Sequence, residues 1–336
     1  MNPDIENNLT SYNTFGLEAR CKGIIHIHAI EDLQSVIQQK LGPLKILGGG
    51  SNVLITRDQE AWILRNEIKG IEIIASSENQ VMVKVGAGES WHGFVEWALH
   101  KNLGGVENLV MIPGSVGAAP MQNIGAYGVE QVQVFQNLDG LHLESGKMRT
   151  FDKEACMFGY RESIFKRAFK DQYFITHVTY LLTSRDHVLH LEYGAIREVL
   201  ASQGIQKPTI QDVAYAVKSI RTSKLPDPAI IGNAGSFFKN PTIPLQVFET
   251  LKERHPDMPG YRVSDSEVKV PAGWLIEKAG WKGKRFGNTG VHDLQALVLV
   301  NHGNASGSEI WQLAQKIMDD ISSQFNITLE AEVNIW

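Results

Sequence analysis

The sequence predicts a mixed α/β or α+β fold, because strand patterns and helix patterns alternate along its 336 residues. Short apolar runs at 44–47 and 53–55 are bounded by turn residues, which indicates buried strands. Valines alternate with other side chains over 81–85, and a second strand is expected over 173–182. Apolar residues recur on one helical face over 210–220, which predicts an amphipathic helix.

The other helices follow from periodicity and from end signals. We expect a helix over 89–101 that turns its aromatic side chains inward. Pro271 should begin a short helix, and Gly280 should end it. Ser306 and Glu309 form a capping-box pattern, so a long helix should begin there.

The composition argues against several functional classes. A formal net charge of -5 gives no reason to expect a nucleic-acid surface. No apolar run approaches the roughly 20 residues of a membrane helix, and the acidic, polar start predicts that there is no signal peptide. Cys21 and Cys156 are too few for a disulfide framework and fit buried thiols in a reducing cytosol.

Two glycine-rich segments predict close approach of the backbone to another group. The loop 48–52 joins two predicted strands, whereas a dinucleotide fingerprint joins a strand to a helix, and no P-loop lysine follows it. It can bind phosphate through successive N–H groups or form a plain turn. The segment 112–128 contains four glycines and three alanines, so either a flat ligand or a tightly packed segment should lie against it.

The segment 232–241 places one hydroxyl, Ser236, between small residues and two aromatic residues. Ser236 and Lys239 match the Ser-x-x-Lys of penicillin-recognising acyl enzymes. That chemistry needs partner motifs, and the chain has no Lys-Thr-Gly, no Ser-Asp-Asn and no Gly-x-Ser-x-Gly around this serine. We therefore interpret Ser236 as a residue held rigidly beside a ligand and not as a nucleophile.

Three charged side chains each allow two interpretations. Arg161, set among aromatic residues and a glycine, fits either an anionic ligand or a packed ion pair. Alternating apolar residues predict a final strand over 327–335, with Glu330 and Glu332 on its polar face. That face is either solvated or part of a site, and periodicity does not choose between the two glutamates.

Histidines give only weak metal patterns. The pairs His26/His28 and His187/His190 have no His-Glu-x-x-His or cysteine pattern beside them, so no metal site is expected.

Together, the order and spacing of these segments resemble the MurB family, the UDP-N-acetylenolpyruvoylglucosamine reductases of bacterial cell-wall synthesis. The resemblance covers nearly the whole chain. The segments that carry it are 13–16, 48–52, 113–117, 122–128, 158–161, 224–228, 232–241 and 329–333.

The resemblance implies an α+β fold with a two-part FAD-binding region of the vanillyl-alcohol-oxidase-like (PCMH) type and an α+β substrate-binding domain. The implied domains are 1–68 and 69–208 for FAD and 209–336 for substrate, with the strand 327–335 returning to the active site. FAD would be bound non-covalently, with its pyrophosphate on loop amides. The residues assigned to it are Gly48, Gly49, Gly50, Ser51, Asn52, Pro113, Gly114, Ser115, Gly117, Ile124, Gly125, Ala126, Tyr127 and Arg221.

The implied reaction reduces UDP-N-acetylglucosamine enolpyruvate to UDP-N-acetylmuramate for peptidoglycan synthesis. NADPH would reduce FAD, and the flavin would pass hydride to the methylene carbon of the enolpyruvyl group. Ser236 would protonate the adjacent carbon, and Arg161 and Glu332 would bind and polarise its carboxylate. We expect Glu332 to be protonated, or paired with Arg161, in the reactive complex. The matching substrate-binding positions are Tyr193, in a loop that closes over the substrate, Lys224, Asn240 and Gln295.

Three residues depart from related sequences and bear on the flavin environment. Asn334 stands where an arginine can occur, and Ala118 and Ala119 stand where serine can occur. Two other functions remain open: an FAD-dependent oxidase or dehydrogenase of another alcohol, and a non-catalytic UDP-sugar-binding protein. The presence of Ser236, Arg161 and Glu332 together favours the reductase. We expect a cytoplasmic monomer with no nucleic-acid partner and no membrane insertion.

Overall fold

The computed structural model of the protein describes residues 5–336. Residues 1–4, part of the polar start considered above, lie outside the described range. The strands are β1 (Gly23–Ile27), β2 (Leu44–Leu47), β3 (Val53–Leu54), β4 (Trp62–Asn66), β5 (Ile71–Ser76), β6 (Gln80–Gly86), β7 (Gly125–Ala126), β8 (Val129–Glu130), β9 (Phe135–His142), β10 (Met148–Asp152), β11 (Tyr173–Thr183), β12 (Gly232–Ser236), β13 (Thr242–Pro244), β14 (Tyr261–Arg262), β15 (Glu267–Lys269), β16 (Arg285–Phe286), β17 (Thr289–Val291), β18 (Val298–Asn301) and β19 (Asn334–Ile335). The helices are α1 (Ile30–Gln39), α2 (Trp91–His100), α3 (Lys153–Cys156), α4 (Gly194–Ser202), α5 (Ile210–Lys224), α6 (Leu245–Arg254), α7 (Ala272–Lys278) and α8 (Gly307–Phe325).

The chain forms two compact units, each built from three segments. Unit 1 consists of the described part of Met1–Asn7 together with Cys21–Gly49 and Glu60–Ser223. Unit 2 consists of the segments Asn8–Arg20, Gly50–Gln59 and Lys224–Trp336. The division into three domains at residues 68 and 208 stays a prediction.

Unit 1 contains a parallel sheet and an antiparallel sheet. The parallel sheet has the order β1-β4-β2, and the antiparallel sheet has the order β10-β9-β11-β6-β5. Leu33 and Val36 of α1 are buried in one core with Ile27 and Leu64 of the parallel sheet. The spacing of the two α1 residues places them on one helical face, so the helix covers the sheet with its apolar side.

Helix α2 shows how the larger core of unit 1 is built. It begins at Trp91, two residues later than predicted, because the Ser90 hydroxyl accepts a hydrogen bond from the Gly93 amide and caps the helix. Trp91 and Phe94 are fully buried, as predicted, and their rings lie 5.7 Å and 5.1 Å from that of Tyr180 on β11. Aromatic packing therefore fixes α2 on the antiparallel sheet.

Unit 2 contains a four-stranded antiparallel sheet, β12-β18-β17-β16, a three-stranded sheet, β13-β15-β14, and the parallel pair β19-β3. The predicted ends of its helices are confirmed. Ser306 and Glu309 make both hydrogen bonds of a capping box at the start of α8. Pro271 caps α7, and Gly280 follows that helix with a φ of +79°. The α8 residues buried in the core of unit 2 are Gly307, Ile310, Leu313, Ala314, Ile317, Ile321 and Phe325.

The predicted final strand is wrong in its extent. Only Asn334–Ile335 is a strand, preceded by a single bridge between Phe238 and Ala331. The alternation itself is correct only in part, since the apolar residues at 327, 329 and 333 are buried but Ile335 is exposed. The segment changes its hydrogen-bonding partner near residue 333, so no single ladder runs along it.

Both cysteines are buried and unpaired, as predicted. Burial raises the pKa of Cys156 to about 12, which keeps that thiol protonated and unreactive. Within the range 5–336, no helix is both long enough and apolar enough to cross a membrane.

Candidate functional site

The glycines of the first predicted FAD segment bring it into contact with the second, inside unit 1. A methyl group added to Gly49 would lie 2.7 Å from Cα of Gly114, and one added to Gly48 would lie 2.7 Å from the Ser115 hydroxyl oxygen. The Gly49 contact is with backbone, so only glycine lets the two main chains meet there, whereas the Gly48 contact is with a side-chain hydroxyl. Tight packing of two segments is therefore part of the reason for their small residues.

The second segment is fixed by main-chain hydrogen bonds to the chain that follows β6. The Trp91 amide donates to the carbonyl of Gly114 at 3.0 Å, and the Gly117 amide donates to that of Ala87 at 2.8 Å. On the first segment, the Arg65 guanidinium donates to the carbonyl of Gly48. Gly48 and Gly49 thus lie against a second segment that is itself held by main-chain hydrogen bonds.

A tight hairpin carries the predicted FAD residues Gly125, Ala126 and Tyr127. β7 and β8 pair so that Gly125 lies opposite Glu130, and Tyr127 and Gly128 form the two-residue turn. Both turn residues have positive φ, +51° and +81°, as a type I′ turn requires. This register fixes the position of the Glu130 backbone directly opposite Gly125.

Arg221 and Tyr127 supply the observation that fits an anionic cofactor. Arg221 donates a hydrogen bond of 3.1 Å to the carbonyl of Met111 and also bonds the Tyr127 hydroxyl. Burial lowers the pKa of Arg221, although the contact with Tyr127 opposes that shift. Its Nε is buried and has no hydrogen-bond partner among residues 5–336. A cation removed from water and left with an unpaired donor suits a diphosphate, so the residues present fit FAD.

Tyr193, a predicted substrate residue, lies against the same hairpin. Its ring meets that of Tyr127 edge to face, with centroids 5.1 Å apart. The Asn108 side-chain amide donates to the carbonyls of both Tyr127, at 3.1 Å, and His190, at 2.9 Å. Asn108 thereby ties the chain before Tyr193 to the FAD hairpin, while the Tyr193 side chain stays about half exposed.

Arg161 sits at the tip of a four-residue turn closed by two hydrogen bonds between Gly159 and Glu162. Its φ of +55° is a left-handed conformation, which costs a non-glycine residue roughly 1–3 kcal/mol. The guanidinium donates to the carbonyl of Gly125 at 2.5 Å, lies 3.9 Å from a carboxylate oxygen of Glu130 and lies over the Tyr160 ring. Of the two interpretations of Arg161, the ion pair is present in unit 1.

Ser236 ends β12 at an irregularity in the sheet of unit 2. Gly235 has a φ of +68°, and the pairing with β18 shifts register between Asn233 and Ser236. The next residue, Phe237, is fully buried, and its amide donates to the carbonyl of Leu297 at 2.8 Å. The bulge and this buried anchor hold the half-buried serine in one place.

The two glutamates of the final segment have different environments. The Glu330 side chain is 72% exposed and pairs with Lys239 at 3.4 Å. The Glu332 amide donates to the carbonyl of Phe237 at 2.8 Å, and the Asn52 side chain donates to the carbonyl of Glu332 at 3.4 Å. Unit 2 thus brings together Glu332, the chain beside Ser236 and the predicted FAD residue Asn52.

The predicted substrate residues Asn240 and Gln295 each lie near the start of α7, also in unit 2. The Asn240 side chain accepts a hydrogen bond of 2.9 Å from the Ala272 amide, and the Gln295 side-chain oxygen would lie 3.5 Å from a methyl group on Gly273. Lys224 is the exposed last residue of α5.

Sequence reasoning missed three polar residues of unit 1 that hold these groups. Asn108 is buried and bonds the carbonyls of Tyr127 and His190, and Glu130 lies beside Arg161 with Asn123 bonded to it. The turn that places Glu130 opposite Gly125 is Tyr-Gly and not the usual Asn-Gly or Asp-Gly, so the sequence carried no strong hairpin signal there. Within the described part of the chain, no group of three or more His, Cys, Asp or Glu side chains could hold a metal ion.

Two family models match the chain. Residues 22–151 match an FAD binding domain, and residues 227–336 match the C-terminal domain of UDP-N-acetylenolpyruvoylglucosamine reductase. Two relatives that bear the name UDP-N-acetylenolpyruvoylglucosamine reductase are similar over their full length. The protein of Flavobacterium johnsoniae is 49% identical over 99% of both chains, and that of Pseudomonas aeruginosa is 47% identical over 98% of this chain and 97% of its own.

A solved structure has the same fold. The crystal structure of UDP-N-acetylenolpyruvylglucosamine reductase from Thermus caldophilus superposes with a TM-score of 0.68 at 21% identity, covering 98% of this chain and 97% of that one. The predicted fold class, an α+β protein with an FAD-binding region before a second α+β domain, is confirmed.

Proposed function

Since this chain belongs to the UDP-N-acetylenolpyruvoylglucosamine reductase family, we propose that it reduces the enolpyruvyl group of UDP-N-acetylglucosamine enolpyruvate. The product is UDP-N-acetylmuramate, a precursor of peptidoglycan, and NADPH is the hydride source. The observation that carries the proposal is the hydrogen-bonded pairing of the chain beside Ser236 with the chain around Glu332. An oxidase of another alcohol would not need these two side chains together.

The enzyme uses FAD, which when bound accepts hydride from NADPH and passes it to the methylene carbon of the substrate. We assign its binding to the packed loop segments 48–52 and 113–117, to the hairpin residues 124–127 and to Arg221. Their backbone proximity and the unpaired donor of Arg221 support this assignment. Gly49 has no room for a side chain, so at that position the loop offers its main-chain N–H group to the cofactor.

Ser236 donates its hydroxyl proton to the carbon that bears the carboxylate. Negative charge builds on that carbon as hydride arrives at its neighbour, and a carbanion-like centre is basic enough to take a proton from a neutral serine. Positioned proton transfer of this kind contributes roughly 10²–10⁴-fold in rate. The bulge at Gly235 and the buried anchor at Phe237 support this role, since they limit where the hydroxyl can lie.

Arg161 binds the substrate carboxylate and stabilises the charge that spreads onto it. A preorganised hydrogen-bond donor at a developing charge is worth roughly 3 kcal/mol. Glu332 helps to polarise the same carboxylate and must be protonated or paired with a cation to do so. Tyr193, Lys224, Asn240 and Gln295 bind the UDP-sugar. We also propose that the enzyme is cytoplasmic and monomeric. Light scattering on the purified protein would test the monomer, and fractionation of cells would test the location.

An anaerobic experiment tests the proposed reaction. The FAD-loaded enzyme is bleached with one equivalent of NADPH, and the enolpyruvyl UDP-sugar is then added. We expect the flavin absorbance to return within the mixing time of a conventional spectrophotometer. UDP-N-acetylglucosamine, which lacks the double bond, is the control and should leave the flavin bleached. If both sugars leave it bleached, the chain is not a reductase of this substrate.

A further inference from the structure

The hairpin β7–β8 places two different acceptors against one guanidinium. Gly125 and Glu130 are directly opposite each other in its register. Arg161 donates one hydrogen bond to the carbonyl of Gly125, and its other terminal nitrogen lies 3.9 Å from Glu130. Because the two-residue turn allows no change of register, the carbonyl and the carboxylate form one fixed frame around Arg161.

Asn123 fixes the Glu130 carboxylate within that frame. The Asn123 side chain is buried, and its amide donates to Glu130 at 2.8 Å and to the carbonyl of Gly159 at 3.2 Å. Its oxygen accepts a hydrogen bond from the Val132 amide at 3.2 Å. Gly159 belongs to the turn that carries Arg161, so one buried amide holds both the carboxylate and the turn.

The geometry of the Arg161–Glu130 pair suits orientation of the guanidinium better than neutralisation of its charge. At 3.9 Å the ion pair is at its outer limit and lacks the two short parallel hydrogen bonds of a tight arginine–carboxylate pair. The carbonyl of Gly125 fixes one terminal nitrogen, and the charge of Glu130 attracts the other, so the plane of the guanidinium is set from two directions.

We propose that Glu130, held by Asn123, is a positioning residue that sets the orientation in which Arg161 receives the substrate carboxylate. This inference rests on the role proposed above for Arg161. Both Glu130 and Asn123 lie outside the groups that would contact the reacting atoms, and they act through Arg161.

Two variants distinguish the effect of the Glu130 charge from the effect of its side-chain length. Glu130→Asp keeps the charge but shortens the side chain by one methylene, and Glu130→Gln keeps the length but removes the charge. Calorimetry on the FAD-loaded enzyme gives the Kd for the enolpyruvyl UDP-sugar and for UDP-N-acetylglucosamine, which has no carboxylate. We expect both variants to reduce the ratio of these affinities roughly tenfold, as for side chains in one ion-pair network, while UDP-N-acetylglucosamine binds as before.

The matched control is Glu162→Gln. Glu162 belongs to the same turn as Arg161, but its carboxylate pairs with Arg167 at 3.0 Å, so this variant should keep the wild-type ratio. FAD content and melting temperature are measured for every variant. If one Glu130 variant does not fold, the other still tests the inference.

Arg161→Ala tests the proposed role of Arg161 separately from that of Glu130. We expect it to abolish the preference for the carboxylate-bearing ligand, with no further loss when Glu130→Gln is added. If Arg161→Ala keeps the preference, the proposed role of Arg161 is wrong and the inference fails with it. If Arg161→Ala loses the preference but both Glu130 variants keep it, or if Glu130→Gln increases it, the inference alone is overturned.

Discussion

Glu332 and Phe237 are joined by a main-chain hydrogen bond of 2.8 Å, from the amide of the glutamate to the carbonyl of the phenylalanine. Phe237 directly follows Ser236 and is fully buried. The two residues proposed for proton transfer and carboxylate polarisation are therefore carried by adjacent, hydrogen-bonded segments with a common core anchor. A shift of either segment would displace both side chains.

Ser236→Ala should slow turnover at least ~100-fold, because it removes the proposed proton donor without changing the fold. Reduction of the flavin by NADPH should stay at the wild-type rate. Stopped-flow absorbance measures the two half-reactions separately. Ser264→Ala, at an exposed serine of the same unit, is the control and should behave as wild type. Wild-type turnover in Ser236→Ala would leave the assignment of the proton donor without support.

Gly49→Ala should destabilise the protein by roughly 1–3 kcal/mol and reduce its FAD content, because the added methyl group would meet the backbone at Gly114. Gly93→Ala is the matched control. A methyl group there would be 3.5 Å from Cβ of Ser90, an ordinary contact on the exposed side of α2. We expect it to stabilise the protein by roughly 0.5–1 kcal/mol, since alanine favours a helix. Urea unfolding measures the change in the free energy of unfolding for each substitution. Equal effects of the two would show that the contact between Gly49 and Gly114 is not tight.

Asn240→Ala and Asn240→Asp should separate two roles of one side chain. Alanine removes the acceptor for the Ala272 amide at the start of α7, so stability should fall by about 1 kcal/mol. Aspartate keeps that acceptor and its charge suits a helix N-terminus, so stability should be retained. It should nevertheless raise KM for the UDP-sugar, because a carboxylate repels the diphosphate. Thermal unfolding and steady-state kinetics decide, and an unchanged KM in Asn240→Asp would remove Asn240 from the substrate site.

His26 should make part of the stability pH-dependent. Burial lowers the pKa of His26, but hydrogen bonds and charge from Glu6 and Glu67, at 3.2 Å and 3.1 Å, outweigh it and raise the pKa above 6.5. A raised folded-state pKa stabilises the protein fully below the ordinary value of 6.5, and this contribution is lost as pH rises through the folded-state pKa. His26→Gln should therefore cost more free energy of unfolding on the acidic side of that window than at alkaline pH.

Urea unfolding of wild type and His26→Gln on both sides of this window measures the difference. Glu67→Gln is the partner control and should remove much of the pH dependence. A difference between wild type and His26→Gln that grows with rising pH would show that the sign is wrong.

The parts of the fold that depend on local signals could be predicted from the sequence. Pro271 and the Ser306–Glu309 box act within one helical turn, so the starts of α7 and α8 were predicted correctly. The final strand was not, because its hydrogen bonds depend on which distant segment each residue meets. Residues 330–332 pair with the chain after Ser236, whereas Asn334 pairs with Val53.

The candidate site, like the fold, could be predicted only in part from the sequence. The residues proposed to contact ligand lie in segments whose order and spacing resemble those of a family, so they could be proposed from the sequence. The residues that hold them could not. Glu130 matters through a hairpin register and Asn123 through one buried amide, and neither leaves a periodic pattern. Similarly, the close approach of Gly49 to Gly114 joins two segments 65 positions apart, which composition describes only as an excess of small residues.

Unit 2 is assembled from segments that leave the ribosome at very different times. Asn8–Arg20 and Gly50–Gln59 are made early and bond each other, as Gln59 does Arg20, but the rest of the unit is Lys224–Trp336. Thr56, for example, bonds Trp336, 280 positions later. Closing loops of this length is slow compared with folding of the continuous stretch Glu60–Ser223. The early segments must therefore wait for these late partners during most of synthesis, and unit 2 can close only after the last third of the chain has emerged.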